Sequence, residues 1–178
     1  MDFSVLMSIY FKEKAVYFNR AMQSVFDDQT LKPSEILLVQ DGLLTEELSK
    51  EIRKWQHRLG DVLKIIELEK NLGIGDALNI GLANCHHDLI ARMDTDDVSH
   101  PDRFKIQVKY MMDNIDCDLL GSSVKEFDDN PDFVWKQYAK KNCWQGKCKL
   151  NPYINSYFVY RIYQQSIIRE NKIVKWQV

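Results

Sequence analysis

A chain of 178 residues is long enough for one well-cored domain, and a second would be unusual at this length. With 45% hydrophobic and 28% charged residues it has the composition of an ordinary globular protein, which excludes disordered and collagen-like classes. The net charge of −2 conceals a split: past Trp135 the one acid is Glu170, against nine basic residues from Lys136 to Lys175. No run approaches the roughly 18 apolar residues that a bilayer span requires. The start, Met1-Asp2-Phe3-Ser4, lacks a basic region ahead of an apolar stretch, so a cytoplasmic location is expected.

Phe3 to Tyr10 is short, apolar and β-prone, as a buried parallel strand is. Lys12 to Asp28 reads as a helix with Tyr17, Ala21, Met22, Val25 and Phe26 on its apolar stripe. Glu35 to Val39 is a second buried strand, ending at Gln40-Asp41-Gly42. Thr45 opens a helix striped by Leu48, Ile52, Trp55 and Leu59, and Gly60 ends it. Val62 to Leu68 is a third strand. A turn-rich loop, Asn71 to Gly75, leads into a short helix around Ala77 to Asn84. Asp88 to Met93 is a fourth strand running into Asp94-Thr95-Asp96-Asp97. Pro101 suits a helix start, Phe104, Val108 and Met111 form that helix's apolar face, and Asp118 to Phe127 is a fifth strand.

Strands alternating with helices predict an α/β fold, a mostly parallel sheet with helices on both faces. Ligands of such sheets bind beyond the carboxyl ends of the strands. Ser8 and Tyr10, Asp41, and the acidic cluster all fall there. Three aspartates within four residues repel one another, and a hard divalent cation relieves that repulsion while leaving positions open for phosphates. Mn²⁺ or Mg²⁺ is therefore expected, with Arg92 pairing a carboxylate or reaching a phosphate. The plain alternative is a solvated acidic turn in which Asp97 or Ser99 caps the next helix. Gly73 and Gly75 lack the third glycine of a dinucleotide fingerprint. Cys85 beside His86 and His87 has no second pair at zinc-ligand spacing.

Taken in order, SVLMSIYFKE, LLVQDG, EKNLGIGDALNIGL, LIARMDTDDVSHPDRFKIQ and LLGSSVKEF resemble successive blocks of the family 2 glycosyltransferases, in particular those of bacterial surface polysaccharides. The resemblance runs from Phe3 to Phe127. It implies a GT-A-type, Rossmann-like fold and a hexosyltransferase-like, inverting enzyme that uses a UDP-sugar. By motif position Ser8 and Tyr10 line the base pocket, and Asp41 bonds the uracil or ribose. Asp94 and Asp96 form the D-x-D motif, with Asp96 ligating the ion and Asp94 completing the shell towards the ribose. Asp97 joins that shell or caps the next helix. Arg103 is expected to brace the loop by pairing with an aspartate. Two residues depart from the pattern: Gln40 where relatives carry an acid, and Asp76, which suits a helix N-terminus if it faces solvent.

The resemblance also implies a nucleotide-sugar donor, a glycan or lipid-linked acceptor, a role in polysaccharide or lipopolysaccharide biosynthesis, and no nucleic-acid partner. Family members continue with an acceptor half carrying an acidic general base. Beyond Phe133 no such motif is visible, so residues 1–133 are expected to form the donor-binding half and 134–178 a divergent basic tail. That tail is expected to be an altered, truncated end, with the catalytic base unassigned. Other readings are a tail packing Tyr157, Phe158, Ile162, Ile167 and Ile168 on the sheet, or peripheral contact with the inner face of the membrane. A chain that binds the donor but transfers nothing is the main functional alternative. Asp94 to Val98 also satisfies the nucleophile motif of haloacid-dehalogenase-type phosphatases, but those carry it on the first strand and not the fourth.

Overall fold

The computed structural model describes residues 1–122, 124–127, 134–138, 143–144 and 158–161. Strand β1 (Ser4–Ile9) leads to helix α1 (Ala15–Met22), which runs on into a π-helical turn, Gln23–Asp27. There follow β2 (Glu35–Gln40), α2 (Glu46–Leu59), β3 (Leu63–Glu67), α3 (Ile74–Asn84), β4 (Leu89–Arg92) and α4 (Arg103–Asp113). Five short strands complete the order: β5 (Leu119–Gly121), β6 (Val124–Phe127), β7 (Val134–Tyr138), β8 (Cys143–Trp144) and β9 (Phe158–Arg161).

The main sheet has the order β3-β2-β1-β4-β9-β5-β8, with β1 to β4 mutually parallel. Strand β9 comes from the basic stretch, yet it pairs antiparallel with both β4 and β5 inside the sheet. Strands β6 and β7 form a separate antiparallel pair. The fifth strand expected over Asp118 to Phe127 is thus two strands in two sheets, parted at Gly121-Ser122. Tyr157, Ile162, Ile167, Ile168 and Glu170 lie outside the described residues.

Alternation along each strand sends side chains to opposite faces. Val5, Met7 and Ile9 of β1 and Ile36 and Leu38 of β2 join Phe18, Met22, Leu48, Ile52, Trp55, Phe104 and Val108 in one core. Leu6, Leu37 and Val39 meet Ala77, Leu78 and Leu82 of α3 in the other. The approach of α3 depends on Gly81, since a Cβ there would collide with the side chains of Leu6 and Val39.

Local signals explain most boundaries. Thr45 Oγ1 accepts from Leu48 N at 3.3 Å, and Glu46 and Glu47 sit in the first turn of α2, where the helix dipole favours them. Gly60 ends that helix at φ +54°. Helix α1 starts at Ala15, later than the expected Lys12, because Glu13 N bonds the carbonyl of Tyr10 and closes a turn first. Its stripe is also shifted. Phe18, Ala21, Met22 and Val25 are buried, whereas Tyr17 is 37% exposed with the Lys14 ammonium 5.0 Å from its ring centre.

Candidate functional site

Parallel register decides where the polar residues meet. Ile9 pairs with Gln40, Gln40 with Glu67, and Leu6 with Arg92. The chain therefore leaves β1, β2, β3 and β4 on one edge of the sheet, and β1 lies between β2 and β4. Asp41 and Asp94 follow these two flanking strands, so they stand on either side of the end of β1, which carries Ser8 and Tyr10. Asp41 N bonds the Ile9 carbonyl at 2.8 Å and Met93 N bonds the Leu6 carbonyl at 3.0 Å, extending the ladder to the rim.

Asp41 is 2% exposed, and its carboxylate oxygens accept from Leu72 N at 2.7 Å and Gly73 N at 3.0 Å. These bonds tie the loop ahead of α3 to the end of β2. The motif alone did not convey this. Four lone-pair sites on a carboxylate leave acceptor capacity beyond those two bonds. Ser8 is half-buried, and its carbonyl accepts from Thr95 Oγ1 at 3.3 Å. Tyr10 is 37% exposed and packs edge-on against Phe11.

Within the acidic loop Thr95 is buried, Asp94 and Asp97 are half-buried and Asp96 is exposed. Arg92 Nη2 donates to Asp94 Oδ1 at 2.8 Å, the carboxylate pairing foreseen for it. Arg103 is 5% exposed, and where a pairing with an aspartate was expected, Nη2 donates to the Arg92 carbonyl at the end of β4 at 2.8 Å and Nε to Gln107 Oε1 of its own helix at 2.9 Å. Neither Asp97 nor Ser99 occupies the cap of α4, since that position is Asp102. Gln29 instead accepts from Phe104 N at the helix start, at 3.4 Å. Asp76 is exposed in the first turn of α3, whose cap is Gly73.

One acid escaped the sequence reading. Glu13, just past the end of β1, has its carboxyl pushed up to about 7 by burial and then by Asp96, Asp94 and Asp97. The loop after β1 therefore shares the negative field of the aspartates. It closes the SVLMSIYFKE block, where nothing in the motif sets it apart from Lys12 or Lys14 as a loop charge.

The sequence matches the family model "Glycosyl transferase family 2" over residues 4–170. The chain belongs to that family. It is 42% identical over 129 residues to the UDP-Gal:alpha-D-GlcNAc-diphosphoundecaprenol beta-1,3-galactosyltransferase of Escherichia coli, covering 72% of this chain and 46% of that protein. It is 45% identical over 128 residues to the amylovoran biosynthesis glycosyltransferase AmsE of Erwinia amylovora, covering 72% and 47%. The chain thus spans about half the length of the curated relatives it matches. Among solved structures, residues 1–349 of S. aureus TarS in complex with UDP-GlcNAc align at TM-score 0.69 and 20% identity, over 96% of this chain and 47% of that one. The Pyrobaculum calidifontis mannosyltransferase PcManGT, in complex with GDP-Man and Mn2+, aligns at 0.59 and 20% identity over 70% and 35%. These likenesses establish the GT-A-type fold.

Among the described residues no three His, Cys, Asp or Glu side chains converge as a ready-made metal cage. Mg²⁺-like ions are usually held by one or two carboxylates together with substrate phosphates and water, so Asp94 and Asp96 suffice as the protein's share. Asp94, Asp96 and Asp97 lie within four residues, and a cation would offset their mutual repulsion. The donor set fits. Among the described residues no helix is long and apolar enough to cross a membrane.

Proposed function

We propose that this chain is the donor-binding part of a sugar transferase that takes a UDP-sugar with Mn²⁺ or Mg²⁺ at the carboxyl edge of its sheet. The observation that carries the reading is the sheet order, with Asp41 and the Asp94/Asp96 pair flanking the end of β1. Ser8 and Tyr10 line the base pocket. Asp41 holds the 71–73 loop and retains lone pairs for an N–H or O–H of the nucleoside. Asp94, oriented by Arg92, and Asp96 hold the ion, which when bound supplies positive charge to the diphosphate leaving group.

The polysaccharide setting, the inverting outcome and a glycan or lipid-linked acceptor belong to the same proposal. The names of the E. coli and Erwinia relatives, a beta-1,3-galactosyltransferase and an amylovoran biosynthesis glycosyltransferase, support it. So does the surplus of basic residues past Trp135, which suits an anionic membrane surface. Binding of the donor without transfer is the second reading.

Calorimetry with UDP, with and without Mn²⁺, tests the donor site. Metal-dependent binding that is lost in Asp96→Ala is the expected result, and unchanged affinity in that variant refutes the assignment. A transfer assay with a UDP-sugar then separates an active enzyme from a binding protein.

A further inference from the structure

The acidic loop has a second anchor, remote in sequence, that the donor reading does not use. Between Met93 and Asp102 the chain forms neither helix nor strand, yet it must hold three aspartates against their mutual repulsion. Fixing such a segment opposes roughly 1–2 kcal/mol of backbone entropy per residue. Its entry is held by β1 and by Arg92. Its exit is held from the end of α1.

There the helix widens into the π-helical turn, in which Asp28 N bonds the Gln23 carbonyl at 3.0 Å. π-Helical turns inside helices recur at functional sites. This one carries Ser24, fully buried, whose hydroxyl donates to the Ala21 carbonyl at 2.7 Å and accepts from Ser99 N at 2.9 Å. Just beyond it Gln29, 4% exposed, shares the two N–H groups of Nε2 among three acceptors, the carbonyls of Ser24 at 2.6 Å and His100 at 2.9 Å and, more distantly, Ser99 Oγ at 3.2 Å. Gln29 Oε1 accepts from Phe104 N, and Thr30 N bonds the Pro101 carbonyl at 3.0 Å. Both polar ends of one buried amide are thus committed to the segment that leaves the aspartates.

We propose that Ser24 and Gln29 are positioning residues for the acidic loop, and through it set the affinity for a metal-bound nucleoside diphosphate. The affinity part rests on the donor-site reading above; the positioning part does not. Outer partners that orient metal-binding groups cost about tenfold or more in affinity when removed.

The 178-residue chain is compared with Ser24→Ala, Gln29→Ala and a control, Ile52→Val, which thins the α2 core away from the loop. Titration with UDP and Mn²⁺ is expected to weaken about tenfold in the first two and to hold in the control, whatever the change in melting temperature. Unchanged affinity in folded Ser24→Ala and Gln29→Ala overturns the proposal. Amide hydrogen exchange without nucleotide covers the case in which the parent chain does not bind UDP, which is a failure of the donor reading. Faster exchange at Asp94 to Asp97 in Ser24→Ala and Gln29→Ala, but not in Ile52→Val, upholds the positioning role. Equal exchange in all four proteins ends it.

Discussion

Arg92 Nη2 lies 2.8 Å from Asp94 Oδ1, at the point where β4 gives way to the acidic loop. The bond engages one carboxylate oxygen and leaves the other for a ligand. Replacing Arg92 by Met keeps an unbranched apolar stem but removes the guanidinium, which frees Asp94 to turn and restores repulsion within the loop. A loss of about tenfold in Mn²⁺-dependent UDP affinity is expected, the size seen when a partner that orients a metal ligand is removed. Calorimetry on Arg92→Met reads it, and tighter binding would mean that the arginine competes with the ion.

Glu13 gives a pH signature of the opposite sign from most carboxylates. Its carboxyl is raised from 4.5 to about 7, so between those values the folded chain binds a proton that the unfolded chain has released. Stability then falls as pH rises through that window. Glu13→Gln is expected to leave the melting temperature unchanged near pH 4. At pH 8 it should raise it by roughly 2–4 °C, the equivalent of about 1 kcal/mol after allowance for solvent screening. Thermal melts at the two pH values decide this, and a variant less stable at pH 8 would show that ionised Glu13 is supported by its surroundings.

How far the sequence foretold these groups depended on whether they carry a local signal. Thr45 and Gly60 are read correctly because a cap and a stop act within their own helix. Asp41 and Asp94 are placed correctly because parallel strands share one exit edge, which alternation of elements alone implies. Phe18 was passed over for Tyr17 because the turn at the start of α1 and the π-helical turn at its end shift the buried stripe, and neither has a period. Ser24 and Gln29 were passed over for a related reason. Their partners, Ser99, His100 and Phe104, are 70 or more residues away, and a buried serine or glutamine looks like any polar residue until the fold brings them together. The insertion of β9 between β4 and β5 is likewise a long-range pairing.

Glu35 supplies the conventional pH dependence, at the opposite edge of the sheet. Burial alone would raise its carboxyl. Bonds from His86 N, Ser4 Oγ, the His86 ring and Lys64 outweigh that effect and bring it down to about 2. A depressed folded value means that the contribution is present above the ordinary 4.5 and is lost as pH falls towards 2. Glu35→Gln is expected to cost about 2 kcal/mol at pH 7, as for hydrogen bonds to a charged group. Urea titrations of both proteins should converge as the pH is lowered from 4.5 to 2. A constant gap across that range would assign the loss to packing and not to the charge.

Two glycines with positive φ separate backbone strain from crowding at the site. Gly60 has φ +54° with ψ −128° and nothing within 4 Å of an added Cβ, so Gly60→Ala is expected to cost only backbone strain, about 1–3 kcal/mol. Gly42 has φ +86°, and a Cβ there would stand 2.6 Å from Asn71 N, which is backbone and cannot swing aside. Gly42→Ala must therefore push the 70–73 loop away from the end of β2, stretching the bonds from Leu72 N and Gly73 N to Asp41. Denaturation should show the larger loss for Gly42→Ala. UDP affinity should fall in Gly42→Ala and hold in Gly60→Ala, whose residue lies at the far end of α2. Equal affinity in the two variants would detach the Asp41-bound loop from the donor pocket.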